Sequence, residues 1–287
     1  MTNPVALVTD STAYIPSELL KKYNIRVVPL VVVWGNESLA DGVDIQPDEF
    51  YRRLQTSKIM PSTSQATVGS FLSVYRELLD EGRDVLTIVI SSKLSGTYQS
   101  AVQAREELGA NKRIAIVDSL TTAMEMGFHV LEAARAAESG ASLEECRRIA
   151  EEAKKHTGVI FAVDTLEFLH RGGRIGGASR FLGTALGIKP ILEVRDGKVE
   201  ALEKVRTRRR SLERIANIVI ERVGDRRPVR LAVVHANAPD DAAFVLKKAS
   251  EALNPIETII SPVSPVIGTH TGPGTVGLAY MTGSLAP

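Results

Sequence analysis

Val85-Leu86-Thr87-Ile88-Val89-Ile90, continuing without a break into Ser91-Ser92-Lys93-Leu94-Ser95-Gly96-Thr97-Tyr98, is the stretch that decides the fold class of this chain. Its first six residues form a short apolar run rich in β-branched side chains, the pattern of a strand in a mainly parallel sheet. The next eight are small, hydroxylated and glycine-containing, and they open a helical pattern through Ala101, Ala104 and Leu108. A strand that turns through serine and glycine into a helix leaves backbone N–H groups unpaired, and the helix N-terminus favours a carboxylate or phosphate there. The turn is not a Walker loop, because the Gly-Lys-Ser/Thr ending and its upstream glycine spacing are absent.

Outward from this unit the same rhythm recurs. Val5 to Val8, Val27 to Val33 and Ile114 to Val117 read as further strands separated by helical segments, which predicts an α/β domain. Pro16 and Pro47 stand at first-turn positions, and Ser142 with Glu145 three residues later forms a capping box. Gly140 closes one long helix and Ser142 opens the next, so the stretch to Gly158 reads as a bridge. Beyond it come a strand from Val159 to Val163, a glycine-rich stretch, a hairpin turning at Asp196-Gly197, and a helix from about Arg209 to Val223. The Asp-Gly turn is an antiparallel signal. The expected organisation is an N-terminal α/β domain over residues 1–157 and a C-terminal mixed-sheet domain over 158–287, with the last segment returning to a ligand site between them.

Charge and composition narrow the function. The 287 residues carry 35 Lys and Arg against 34 Asp and Glu, and a net charge of +1 is no signature of a nucleic-acid binder. Met1-Thr2-Asn3-Pro4 has no signal pattern, and no apolar run approaches the roughly 20 residues of a membrane helix, so a cytoplasmic protein is expected. The single cysteine, Cys146, lies in a charged helical pattern and reads as a spectator thiol. His129, His156, His170, His235 and His270 show no paired ligand spacing, so neither a metal nor a cofactor is expected.

Four more polar segments carry candidate chemistry. Thr9-Asp10-Ser11-Thr12 follows a strand, where open α/β sheets bind ligands, yet Asp, Ser and Thr are also ordinary helix caps, the stronger reading of Asp10 and Ser11 taken alone. Pro61-Ser62-Thr63-Ser64-Gln65 reads as a loop between helices, an anion-facing set of hydroxyls or a plain surface loop. Gly172-Gly173 and Gly176-Gly177 read as a hinge before an apolar segment containing Phe181, Leu182, Ala185 and Leu186, flanked by Arg171, Arg174, Arg180 and Lys189. That segment is either a core helix with solvated basic ends or a membrane-facing lid. In Pro265 to Gly274, Val266 and Ile267 read as a strand that delivers Thr269, His270 and Thr271 to one place; a glycine-proline turn with a surface histidine is the plain alternative.

Taken together, Val8-Thr9-Asp10-Ser11-Thr12, Ser62-Thr63-Ser64-Gln65, Leu94-Ser95-Gly96-Thr97, Gly172-Gly173-Arg174-Ile175 and Gly268-Thr269-His270-Thr271-Gly272-Pro273-Gly274 resemble the DegV family over nearly the whole chain. The fatty-acid-binding subunit of bacterial fatty acid kinase belongs to that family. The resemblance implies a non-catalytic two-domain α/β protein holding one long-chain fatty acid, tail buried and carboxylate between the domains. By motif, Thr63, Ser95, Gly96 and His270 would surround the carboxylate and Arg206 would join them. Asp10, Ser11, Ser64, Thr97, Thr269 and Thr271 would support these loops, and Arg174, Phe181 and Leu182 would gate the tunnel at a membrane. Implied partners are a separate ATP-dependent kinase and an acyltransferase receiving an acyl-phosphate, with transient membrane contact. Ala66 stands where many members have proline and Tyr14 where many have an acidic residue, departures that leave the hydroxyl and glycine positions intact.

A carboxylate needs no buried cation if several hydroxyl and main-chain donors converge on it. A tail of about sixteen carbons gains on the order of 0.8 kcal/mol per buried methylene, so affinity comes mainly from the tunnel. The competing functions are a small-molecule phosphotransferase or hydrolase, by outline likeness to dihydroxyacetone kinase, and a regulatory lipid sensor.

Overall fold

A computed structural model of the chain describes residues 3–183 and 187–286. The first part runs β1 (Val5–Asp10), α1 (Ser17–Lys22), β2 (Arg26–Val28), β3 (Val31–Trp34), β4 (Glu37–Ala40), α2 (Pro47–Thr56), β5 (Ser62–Ser64), α3 (Val68–Asp80), β6 (Asp84–Val89), α4 (Thr97–Glu107), β7 (Ile114–Asp118), α5 (Ala123–Glu138) and α6 (Leu143–Ala153). The second runs β8 (Thr157–Ala162), α7 (Glu167–Arg171), β9 (Lys189–Arg195), β10 (Lys198–Val205), α8 (Arg208–Val223), β11 (Val229–His235), α9 (Pro239–Leu253), β12 (Glu257–Pro262), α10 (Pro265–Thr271) and β13 (Val276–Thr282).

The apolar run that opens the sequence argument is β6, and it lies inside a parallel sheet of order β2-β1-β6-β7. Val85, Leu86, Ile88 and Val89 are buried, as a strand covered on both faces requires. Helices α3 and α4 pack on this sheet, as do α5 and α6. The chain leaves β1 toward β2 and leaves β6 toward β7, so the winding reverses between β1 and β6. Open α/β sheets bind ligands in the crevice at such a reversal.

The second sheet is mixed, with order β10-β9-β8-β13-β11-β12. Only its β11–β12 pair is parallel, and β9 and β10 form the expected hairpin, with Asp196 and Gly197 both at positive φ as the Asp-Gly turn demands. Helix α5 is buried along most of its length because it touches β1 and β6 on one side and β8, β11 and β13 on the other. One face of the second sheet therefore shares the core of the first, while α8 and α9 cover its other face. The capping box of α6 is present, with Ser142 accepting from Glu145 N and the Glu145 carboxylate accepting from Ser142 N. Cys146 is buried in that helix, and burial pushes its thiol up to about 11.

Three sequence expectations are corrected. The run from Val27 to Val33 is two strands, because Pro29 has no N–H to donate and the chain leaves the parallel sheet there; β3 joins an antiparallel sheet of order β4-β3-β5. The serine-rich segment after Pro61 is strand β5, not a loop, pairing Thr63 with Val32. Val266 and Ile267 lie in helix α10, which starts with Pro265 in its first turn and Ser264 accepting from Ile267 N. The chain then adds β13, an almost wholly buried central strand of the second sheet. Ala185 and Leu186 lie outside the described residues.

Candidate functional site

At the carboxyl end of β6 a cavity of about 230 Å³ opens between the two sheets. Its walls are apolar: Ile90 and Leu94 after β6, Val159 and Phe161 on β8, Val194, Val199 and Val234 on the neighbouring strands, and Val263, Val266 and Ile267 at α10. Polar groups gather at one part of the lining, from β5 (Thr63, Ser64), the α4 entry (Ser95, Gly96) and the end of α10 (His270, Thr271), with Gln65 and Arg174. An apolar cavity with a few convergent polar groups suits an amphipathic ligand with a single polar head.

Two hydroxyls in that group can donate to a ligand. Thr63 Oγ1 lies 2.8 Å from His270 Nε2, while His270 Nδ1 is buried without a partner. A proton on Nδ1 would be a buried donor with nothing to donate to, so the proton belongs on Nε2, which donates to Thr63. The Thr63 hydroxyl hydrogen is then free to donate elsewhere. Burial pulls the His270 imidazole down to about 4, with the charge of Arg174 acting in the same direction, so the ring is neutral at pH 7. Ser95 is arranged similarly. Its Oγ accepts from Thr97 N at 3.3 Å and lies 2.9 Å from Thr97 Oγ1, which itself accepts from Ala66 N. When Thr97 is the donor of that pair, the Ser95 hydrogen is left for a ligand.

Close approach calls for glycine at positions 172 and 96. A Cβ on Gly172 would overlap Nδ1 of His270, and one on Gly96 would overlap the Gln65 carboxamide, which donates to Ser100 Oγ at 3.0 Å. Gly172 thus seats the imidazole, a different use from the hinge expected of it. Gly176 is likewise packed against the carbonyl of Val199.

The other expected site residues are distributed as follows. Asp10 caps the short 3-10 helix Ser11–Ala13, accepting from Thr12 N and Thr12 Oγ1, and also accepts from Ile90 N at 2.7 Å. Ser11 donates to Asp41 at 2.8 Å and accepts from Leu30 N. Neither lines the cavity; both shape the ends of β1 and β6 that frame it. Thr269 and Thr271 return their hydroxyls to helix carbonyls, of Pro265 and Ile267, and of these two only Thr271 reaches the lining. Arg206 is exposed beyond the end of β10, whose Val205 pairs with Lys189, and it does not line the cavity. The cation that does is Arg174, held by Leu94 O at 3.1 Å and Gly172 O at 2.6 Å. Phe181 is buried with Leu166 and Leu169, whereas Leu182 is 42% exposed. Among the described residues no group of His, Cys, Asp and Glu could hold a metal ion, and no helix is long and apolar enough to cross a membrane.

Sequence reasoning missed Gln65 as a lining residue and the apolar wall from the second sheet, whose strands meet the cavity only through tertiary packing. It also missed Thr122, a lining residue at the start of α5 whose buried hydroxyl has no partner.

The family profile for DegV, described as an uncharacterised protein family, matches residues 4–283. A DegV domain-containing protein of Streptomyces coelicolor is 38% identical over 280 residues, 97% of this chain and 98% of its own length. A DegV family protein from Thermus thermophilus, described for its fatty acid binding, superposes with a TM-score of 0.92 at 36% identity, covering 98% of this chain and all of its own (100%). DegV from Bacillus subtilis, a fatty acid binding protein, gives 0.89 at 34% identity over 99% of this chain and 100% of its own. With sequence likeness along almost the whole chain and the same α/β architecture in the solved relatives, this chain belongs to the DegV family.

Proposed function

We propose that this protein binds one long-chain fatty acid, its tail in the apolar cavity and its carboxylate against Thr63, Ser95 and the His270 pair. The observation that carries this reading is an apolar cavity lined at its polar part by the Thr63 hydroxyl, which pairs with His270, and the Ser95 hydroxyl, which accepts from Thr97 N. Relatives described as fatty acid binding support it. With a neutral histidine and hydroxyl donors, the head site orients a carboxylate rather than attacking it.

The bound acid is presented to a separate ATP-dependent kinase, which phosphorylates the carboxylate, and the acyl-phosphate is carried onward to an acyltransferase. Burying the tail while leaving the head at the cavity's polar part suits a carrier. Palmitate-loaded protein mixed with a fatty acid kinase catalytic subunit and ATP should yield acyl-phosphate, trapped as the hydroxamate, and Thr63→Val with Ser95→Ala should abolish it. Full turnover by that double variant would refute the head-site reading.

Exchange with membranes involves the exposed Leu182 beside Arg180. An apolar residue next to a cation suits the surface of an anionic bilayer. Leu182→Asp should slow fatty acid transfer from anionic vesicles several-fold and leave binding affinity unchanged; equal transfer rates would remove the membrane contact.

A further inference from the structure

A second concavity, of about 490 Å³, lies at the carboxyl ends of β1 and β2 and shares no lining residue with the first cavity. Its volume falls within the range of small-ligand pockets. Its floor is acidic and incompletely hydrogen-bonded. Asp41 is 2% exposed; its Oδ2 accepts from Ser11, the Ser264 hydroxyl and the Val266 N–H also lie against the carboxyl, and Oδ1 lacks a well-formed hydrogen bond. Thr9, 1% exposed, also lines the cleft, and its Oγ1 has no partner. Asp10 lies beside them with both oxygens already occupied, so it adds negative potential without offering an open oxygen. Glu18 is the other ionisable carboxyl of the lining, which contains no Lys, Arg or His.

The rim has the opposite character. Among the described residues seven large hydrophobic side chains are exposed, and three of them, Val27, Val43 and Ile260, stand on this cleft. Exposed apolar residues gathered at one concavity mark a binding site more strongly than the same residues scattered.

We propose that this cleft binds an organic ammonium group carried on a short apolar body. The ammonium donates to Asp41 Oδ1 and Thr9 Oγ1, and the hydrocarbon covers Val27, Val43 and Ile260. A buried carboxylate oxygen is satisfied best by a charged donor, and the cleft supplies none of its own. Burial raises the Asp41 carboxyl to about 7, and Asp10 pushes it the same way. The groups facing it are Ser11, Ser264 and the Val266 N–H, with the phenols of Tyr14 and Tyr51 close by, and Asp48 acting on Tyr14; none is a cation. An arriving ammonium therefore draws Asp41 into its carboxylate form, and binding tightens as pH rises from 6 to 8.

The test is titration calorimetry with n-hexylammonium chloride and its neutral isostere n-hexanol. The wild-type protein should prefer the ammonium by at least about tenfold, Asp41→Asn should lose that preference, and Thr63→Val should leave it unchanged. Should Asp41→Asn fail to fold, Val43→Lys decides instead: Val43 is 69% exposed, and a lysine there places a tethered ammonium over the cleft and should block the probe. N-acetyl-lysine methylamide distinguishes a free amine from a lysine side chain offered by a protein; binding of either supports the site. Equal binding of hexanol and hexylammonium, probe binding that survives Val43→Lys, or probe binding removed by Thr63→Val would overturn the proposal. The last result would place the probe in the first cavity.

Discussion

Thr63 Oγ1 and His270 Nε2 lie 2.8 Å apart although 207 residues separate them in the chain. Strand β5 brings one and the last turn of α10 the other. Because His270 Nδ1 has no acceptor, the imidazole donates through Nε2, and Thr63 becomes the group that faces a ligand. The histidine positions and polarises the hydroxyl without carrying charge of its own.

Thr63→Val, nearly isosteric, should therefore weaken fatty acid binding by about 10- to 100-fold, the worth of a hydrogen bond to a charged group at roughly 1.5–3 kcal/mol. Its melting temperature should fall modestly, because the His270 Nε2–H loses its acceptor while Thr63 itself is only half-buried on an edge strand. Competition against a fluorescent fatty acid checks this.

Gly172→Ala should displace the imidazole, since the added methyl overlaps Nδ1. The expected cost is about 1–3 kcal/mol, the range for forcing an extra group into a packed site. In a double-mutant cycle with His270→Ala most of that cost should vanish. Additive effects in urea unfolding would show that Gly172 matters for another reason.

Thr122→Val should act in the other direction. The Thr122 hydroxyl is buried without a partner, and the side chain gives no cap bond to α5. Replacing an unsatisfied hydroxyl by a methyl of similar size should stabilise the protein by about 1 kcal/mol and tighten binding of a saturated chain.

Glu125 sets a pH dependence. It is buried at the start of α5, its carboxyl accepting from Thr121 Oγ1 at 2.6 Å, and burial raises its pKa from 4.5 to about 7. The folded state holds a proton that the unfolded state has lost between those values. Its contribution is thus fully present below about 4.5 and fades as pH rises to 7, by roughly 3 kcal/mol in all. Glu125→Gln should cancel that slope, so the stability difference between wild type and variant at pH 5 should shift in the variant's favour by pH 8. His129 and His270, both held below their ordinary range by burial, act in the opposite sense and are common to both proteins.

Local chemistry made much of the fold legible. The β-branched run of β6, the Asp-Gly hairpin and the Ser142 cap each depend on residues a few positions apart, and each is found. Where tertiary pairing competes with local preference, the sequence misleads. Val266 and Ile267 are β-branched, but Ser264-Pro265 is a helix start, and that signal prevails. Ser62 to Ser64 has the composition of a loop and becomes a strand only because β3 offers an edge. The motif residues Thr63, Ser95 and His270 line one cavity, while Arg206 does not reach it and Arg174 does. Which of several arginines arrives is decided by where β10 ends, a property of the sheet.

The most direct test of lipid binding is native mass spectrometry of the protein purified from a bacterial host, followed by denaturation and identification of what is released. The account predicts one long-chain fatty acid per chain, lost or weakened in Thr63→Val. A protein that emerges empty and takes up no added palmitate would contradict it.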